Sequence, residues 1–188
     1  GDANSGAKTA SEEVGKRCSS SLTNGGDNSH HHQGGEQPAL ATQPSEVLVV
    51  NVMSRAGYSF AGDDLLQILI TAGLKFGEMN IFHHHLDFST KGPVLYSVAN
   101  VLNPGTFDLN NMSDFSTLGV SFFLALPTSI NNLEAFETML SVAQKIKGGL
   151  DGVLRDDQIN LMTAQTIEHY RQRVRDFELR QLKAGIRS

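Results

Sequence analysis

A chain of 188 residues with 39% hydrophobic residues and a formal net charge of -5 has room for one domain and a tail. The acidic balance argues against general nucleic-acid binding, which needs a concentrated basic footprint. The single cysteine, Cys18, excludes an intrachain disulfide, and no run approaches the roughly 18 apolar residues of a membrane-spanning helix.

Residues 1–45 read as a disordered linker or tail. They include "SSSLTNGGDNSHHHQGGEQPALATQPS" and hold few large apolar residues beyond Val14, Leu22 and Leu40. Such a segment cannot bury enough surface to offset the entropy of ordering it. His30, His31 and His32 are spacer on this reading, with a labile metal binder as the alternative. No secretory signal leads the chain and its first residue is glycine, so the expectation is a fragment or processed product, and a membrane anchor could lie outside it.

Regular periodicity starts at Val47. "VLVVNVM" predicts a strand rich in β-branched residues. "DDLLQILITAG" predicts a helix with Asp63 as N-cap and Gly73 as its stop. "KFGEMNIFHHHL" predicts a return to strand, and "VLYSVANVL" a further strand forming a hairpin with it. "DLNNMSDFST" is an irregular link. "LGVSFFLAL" carries the strongest strand signal, ended by Pro127. Asn131 and Glu134 have capping-box spacing ahead of a helix with Leu133, Phe136, Leu140 and Ala143 on one face, stopped by Gly148 and Gly149. "LDGVLRDDQINLM" predicts two short strands about a turn. A last helix starts at Thr163, with Met162 and Ile167 as a hydrophobic staple and Ile167, Tyr170, Val174 and Phe177 as its stripe. Residues after Leu182 are expected to fray.

The order β-α-β-β, β-α-β-β-α predicts an α+β fold: a split β-α-β arrangement, a mostly antiparallel sheet, and helices on one face. The domain should cover residues 46–182, with 183–188 as a frayed tail. Alternation divides the strand side chains between two faces. Tyr96, Val98, Leu102, Phe122 and Leu124 form the bulkier set, expected beneath the helices. The other face would carry Val49 or Val50, Asn51 or Val52, Met79, Ile81, Ala99, Val101 and Phe123. A helix-free antiparallel face is normally polar, so an apolar one points to a partner or a further layer.

The histidines at 83–85 divide across the sheet, His83 and His85 to one side and His84 to the other. Two histidines at this spacing reach a common metal only with further ligands. Asp87 is the nearest candidate, and strand-end polar residues are the preferred reading. The chain has no GxGxxG, GxxxxGK[ST] or GxSxG motif, so phosphate cradling and an elbow nucleophile have no basis. The acidic pairs Asp63-Asp64 and Asp156-Asp157 read as a helix start and a solvated turn. Arg171, Arg173, Arg175, Arg180 and Lys183 alternate with Glu168, Asp176 and Glu178, as on a solvated amphipathic helix.

"LKFGEMNIFHHHLD", "GPVLYSVANVLNPGTFD", "DFSTLGVSFFLALP" and "GGLDGVLRDDQINLMTAQTIEHYR" resemble the C-terminal domain of the bacterial cell-division protein ZipA, over roughly residues 46–180. The resemblance implies an adaptor without enzymatic activity or cofactor. It implies binding of the C-terminal tail of FtsZ in a shallow apolar groove on the sheet face away from the helices, with no nucleic-acid or small-molecule partner. It also implies inner-membrane residence through an anchor outside this chain, with the domain facing the cytoplasm. The groove residues carried over are Val52, Met79, Ile81, Ala99, Val101, Asn103 and Phe123. Val101 and Asn103 depart from the family pattern, where methionine and lysine occur, which implies a shallower groove and the loss of a cation. A nucleic-acid-binding α+β module using Phe123, and a metalloprotein using His83, His85 and Asp87, are the competing expectations.

Overall fold

The computed structural model describes residues 45–87 and 92–186. Residues 1–44, with Cys18 and His30–His32, lie outside this range, so the expected linker is not described beyond Ser45. The same holds for residues 88–91 of the predicted hairpin loop.

Among the described residues, eight strands and three α-helices follow in chain order: β1 (Glu46–Ser54), β2 (Phe60–Ala61), α1 (Gly62–Thr71), β3 (Lys75–Phe76), β4 (Phe82–His85), β5 (Val94–Asn100), β6 (Ser116–Thr117), β7 (Gly119–Leu126), α2 (Asn132–Leu150), β8 (Gly152–Arg155) and α3 (Ala164–Ile186). Six strands make an antiparallel sheet in the order β3-β4-β5-β7-β1-β8, while β2 and β6 pair separately. Strands β7 and β8 both flank β1 and both run antiparallel to it. The unit β7-α2-β8 is therefore a β-α-β with β1 inserted in its middle, the expected split arrangement.

The core lies between the sheet and the helices. Leu48, Val50, Val52, Phe82, Tyr96, Val98, Phe122 and Leu124 meet Leu65 and Leu69 of α1, Phe136, Met139, Ala143 and Ile146 of α2, and Tyr170, Val174 and Phe177 of α3. The helical spacing of these residues supplied each buried stripe. Leu102, expected in this layer, is instead 36% exposed, because β5 ends at Asn100 and the alternation no longer applies.

Caps explain the helix limits. Asn131 accepts a hydrogen bond from the Glu134 amide at 3.0 Å and starts α2 as expected. Gly148 and Gly149 do not stop it; α2 runs through both to Leu150 and ends on Asp151 in the left-handed region. Asp63 is not a cap either. Ala61 holds that position without a side-chain bond, and Asp63 and Asp64 occupy the first turn, where negative charge complements the helix dipole. Gly73 does end α1. At φ +91° it lets its own amide reach the Ile70 carbonyl and the Leu74 amide reach that of Leu69, a Schellman closure. Thr163 accepts from the Thr166 amide at the start of α3, which continues past Leu182 to Ile186.

Helix α3 also finishes the sheet. Strand β8 pairs only with Asn51–Ser54 of β1, leaving carbonyls nearer its start without a strand neighbour on that side. The Tyr170 hydroxyl donates to the Val49 carbonyl at 2.8 Å, and Arg173 donates to the Val47 carbonyl at 3.3 Å. Side chains thus block an edge that another strand would otherwise extend.

Candidate peptide-binding face

The strand register sorts side chains into two sets one residue apart. Val50, Phe122, Val98 and Phe82 stand opposite one another across four strands, all within the helix-side core. Val49, Phe123, Ser97 and His83 make the adjacent row on the other side. Asn51, Ser121 and Ala99 make the next.

A second apolar cluster forms there from Ile81, Ala99 and Phe123, with Met79, Val47 and Val49 packed against it. None of these residues belongs to an α-helix. Four of the residues expected on this face, Met79, Ile81, Ala99 and Phe123, therefore come together. Val101 follows the end of β5, with its amide donating to the Gly119 carbonyl at 3.1 Å. It is buried but lies outside the cluster. Asn103 is exposed and sits beyond the end of β5, at the cis Asn103–Pro104 bond.

Val52 is the correction. It opposes Val120 and Leu154 and is buried in the helix-side core. An even-numbered residue of β1 cannot share a face with Val49, since a one-residue step reverses the side. Val47 and Val49 take its place. Sequence alternation left β1 ambiguous because Val49 and Val50 are equally apolar; only pairing with Phe123 resolves them. Met53 lies farther along the same side. Its sulfur lies where a side chain on Gly119 would collide, 2.6 Å from a Cβ built there, so the glycine makes room for it.

The face is free of α-helices but it is not open. Ile81 and Ala99 have no exposed surface and Phe123 retains 5%. Met79 contributes to this cover from a tight turn, Glu78–Asn80, that interrupts the single strand expected here and splits it into β3 and β4. Met79 and Asn80 have φ of +62° and +56°, a region that non-glycine residues adopt only when surrounding contacts hold them. The Gly77 amide donates to the Ile81 carbonyl at 3.0 Å, the Asn80 amide to the Gly77 carbonyl at 3.1 Å, and the Phe107 amide to the Asn80 carbonyl at 2.8 Å.

The histidines serve this geometry. His83 Nε2 lies 2.8 Å from the Glu78 carbonyl and Nδ1 lies 2.7 Å from Ser97 Oγ. A carbonyl only accepts, so Nε2 carries the proton, and in the neutral ring Nδ1 accepts from the serine hydroxyl. Burial pushes the imidazole below the usual histidine range; the Glu78 carbonyl bond and carboxylate oppose that shift and His85 adds to it. His85 Nδ1 donates to the Gly92 carbonyl at 2.9 Å. His84, on the other side, stacks on Tyr96 with ring centroids 5.0 Å apart and planes 10° from parallel. Burial lowers its pKa too. Among the described residues, no three His, Cys, Asp or Glu side chains converge as metal ligands.

Polar groups on the same face are internally matched. Ser121 Oγ donates to Asn51 Oδ1 at 2.5 Å, and Asn51 Nδ2 donates to the Asp156 carbonyl at 3.0 Å. The arginines of α3 are likewise engaged: Arg171 with Glu137 and Glu168, Arg173 with Glu46 and Asp157, Arg175 with Glu168, and Arg180 with Glu46. Mixed pairs of this kind fit a solvated helix rather than a phosphate-binding stripe.

Fold and face define a class: an α+β domain whose sheet carries a compact apolar cluster on the side away from its helices. The comparisons with known proteins are specific. The family described as "ZipA, C-terminal FtsZ-binding domain" matches residues 46–173, and the chain belongs to that family. It is 52% identical over 144 residues to the cell division protein ZipA of Ectopseudomonas mendocina, covering 77% of this chain and 53% of that protein. The ZipA of Azotobacter vinelandii is 54% identical over 137 residues, or 73% of this chain and 48% of that protein. For a Pseudomonas aeruginosa ZipA the identity is 47% over 147 residues, 77% and 51% of the two chains. The chain spans about half the length of these relatives. Among the described residues no helix is long and apolar enough to cross a membrane.

Proposed function

We propose that this chain is a non-enzymatic cell-division adaptor that binds the C-terminal tail of FtsZ on the face built from Met79, Ile81, Ala99 and Phe123, with Val101 and Asn103 at its margin. The apolar cluster on the side of the sheet away from the helices carries this reading, together with family membership. Apolar side chains of the tail would pack beside Met79 on the Phe123 cluster. Each well-buried anchor contributes about 1.5–3 kcal/mol before ordering costs, so a short flexible tail binds modestly. Many tails on one filament raise the effective concentration. A membrane anchor outside this chain would then hold the filament at the inner membrane.

Calorimetric titration of the chain with the C-terminal FtsZ peptide of the same organism tests this. Saturable one-to-one binding is expected, weakened about tenfold or more in a Phe123→Ala variant whose circular dichroism matches the parent. Absence of binding at high peptide concentration, or equal binding by the folded variant, overturns it.

A further inference from the structure

We infer that His83 is a positioning residue for this face: its imidazole ties the Glu78–Asn80 turn to Ser97 and so holds Met79 against the Ile81, Ala99 and Phe123 cluster. The inference rests on the peptide-binding reading of the face and adds a pH-responsive element to it.

The geometry has three parts. First, the turn carrying Met79 has two consecutive residues at positive φ, a conformation held by its surroundings. Its backbone bonds to Gly77, Ile81 and Phe107 fix its ends, while the Glu78 carbonyl at its start is bound by a side chain, His83 Nε2. Second, the same ring is fixed from the opposite direction by Ser97, which pairs directly with Phe123 across β5 and β7. One imidazole thus bridges the Met79 turn and the row that holds Phe123. Third, His83 is buried, with 5% of its surface exposed, and both of its ring nitrogens are hydrogen-bonded, so the ring is held from two sides.

The groups around the imidazole decide its response to protons. Lys75 stands opposite it on β3, and His85, with its ring centroid 6.3 Å away, disfavours a second proton. Glu78, at the turn itself, favours it. From β5 and β7 the neighbours in its row are Ser97 and Phe123, neither of which carries charge near neutral pH. Burial outweighs Glu78, so the clamped ring is held neutral. By linkage, the clamped arrangement is fully favoured above the ordinary histidine pKa of about 6.5 and loses ground as the pH falls below it. Acid therefore loosens Met79, and peptide affinity falls because the face is less preorganised.

The test compares the full 188-residue chain with His83→Gln, Ser97→Ala and His83→Leu variants, titrated with the FtsZ tail peptide between pH 7.5 and 5.5. Glutamine keeps a donor in reach of the Glu78 carbonyl but does not titrate. The parent should lose affinity about fivefold across this range while His83→Gln stays flat, and Ser97→Ala should weaken binding about fivefold at pH 7.5, the scale of one net hydrogen bond. His83→Leu should bind weakly throughout, with the fold checked by circular dichroism. The Met79 methyl resonance of the peptide-free chain gives a readout independent of the ligand: it should shift with pH in the parent and not in His83→Gln. Identical pH profiles for parent and His83→Gln, or an unmoved Met79 resonance, overturn the clamp. A parent that ignores the peptide at pH 7.5 while its Met79 resonance still titrates overturns the binding reading alone.

Discussion

Phe122 and Phe123 are neighbours in one strand with similar burial and opposite surroundings. Phe122 contacts Tyr96 at 6.0 Å between ring centroids and sits in a core shared with all three helices. Phe123 sits in a cluster of three buried residues with Met79, Val47 and Val49 around it. One step of strand alternation therefore separates a side chain that holds the layers together from one proposed to hold a partner. Low exposure alone does not distinguish the two roles; what lies above each residue does.

The sharpest way to break this comparison is to truncate each phenylalanine in turn. Phe122→Ala should cost roughly 3–5 kcal/mol, because the void it leaves is walled by sheet and helices and relaxes only partly. Phe123→Ala should cost less, about 1.5–3 kcal/mol, near the transfer energy alone, since no helix encloses the space. Urea unfolding of both measures the difference. Equal losses would mean that the second cluster is as much a part of the fold's core as the first.

A smaller effect is expected where α3 blocks the edge of β1. Tyr170 lies between Val49 and the turn after β8: its hydroxyl donates to the Val49 carbonyl and accepts from the Asp157 amide at 3.0 Å. Tyr170→Phe keeps the packing but strands both backbone groups, at a cost of about 1–3 kcal/mol. Dimer formation by the variant, seen in analytical ultracentrifugation, would sharpen the view that the hydroxyl protects the edge.

The smallest effect is the acid dependence of stability. His83 and His84 are both held below the ordinary histidine range by burial. The unfolded chain therefore binds their protons first. Stability should be fully present above about pH 6.5 and decline as the pH falls towards the lowered values. Unfolding midpoints between pH 7.5 and 5 check the sign. His83→Gln should flatten part of the slope and leave the part due to His84.

Much of this was legible beforehand, and the failures have specific causes. Strands β1, β5, β7 and β8 and the three helices followed from period-two and period-3.6 patterns, and the Asn131 cap from its own chemistry, whereas the short β2 and β6 were not expected. Gly148 and Gly149 misled because packing on the sheet carries α2 through two poor helix formers. The Met79 turn was missed although Gly77 and Asn80 are poor strand formers, because positive φ at Met79 and Asn80 depends on contacts from His83 and Phe107, which lie outside the turn. Val52 was carried over from the family resemblance to the wrong face, and alternation could not correct it because "VLVVNV" is apolar at nearly every position and carries no phase.

The sequence by itself determined the fold class, the helix-side stripes, and which residues of β5 and β7 share a side, since those depend on local periods and on contrast between neighbouring side chains. Only the tertiary structure decided the phase of β1, the turn that brings Met79 over Phe123, and the use of His83 as a clamp. Each of these rests on pairing between segments distant in the chain, where register rather than composition sets which atoms meet.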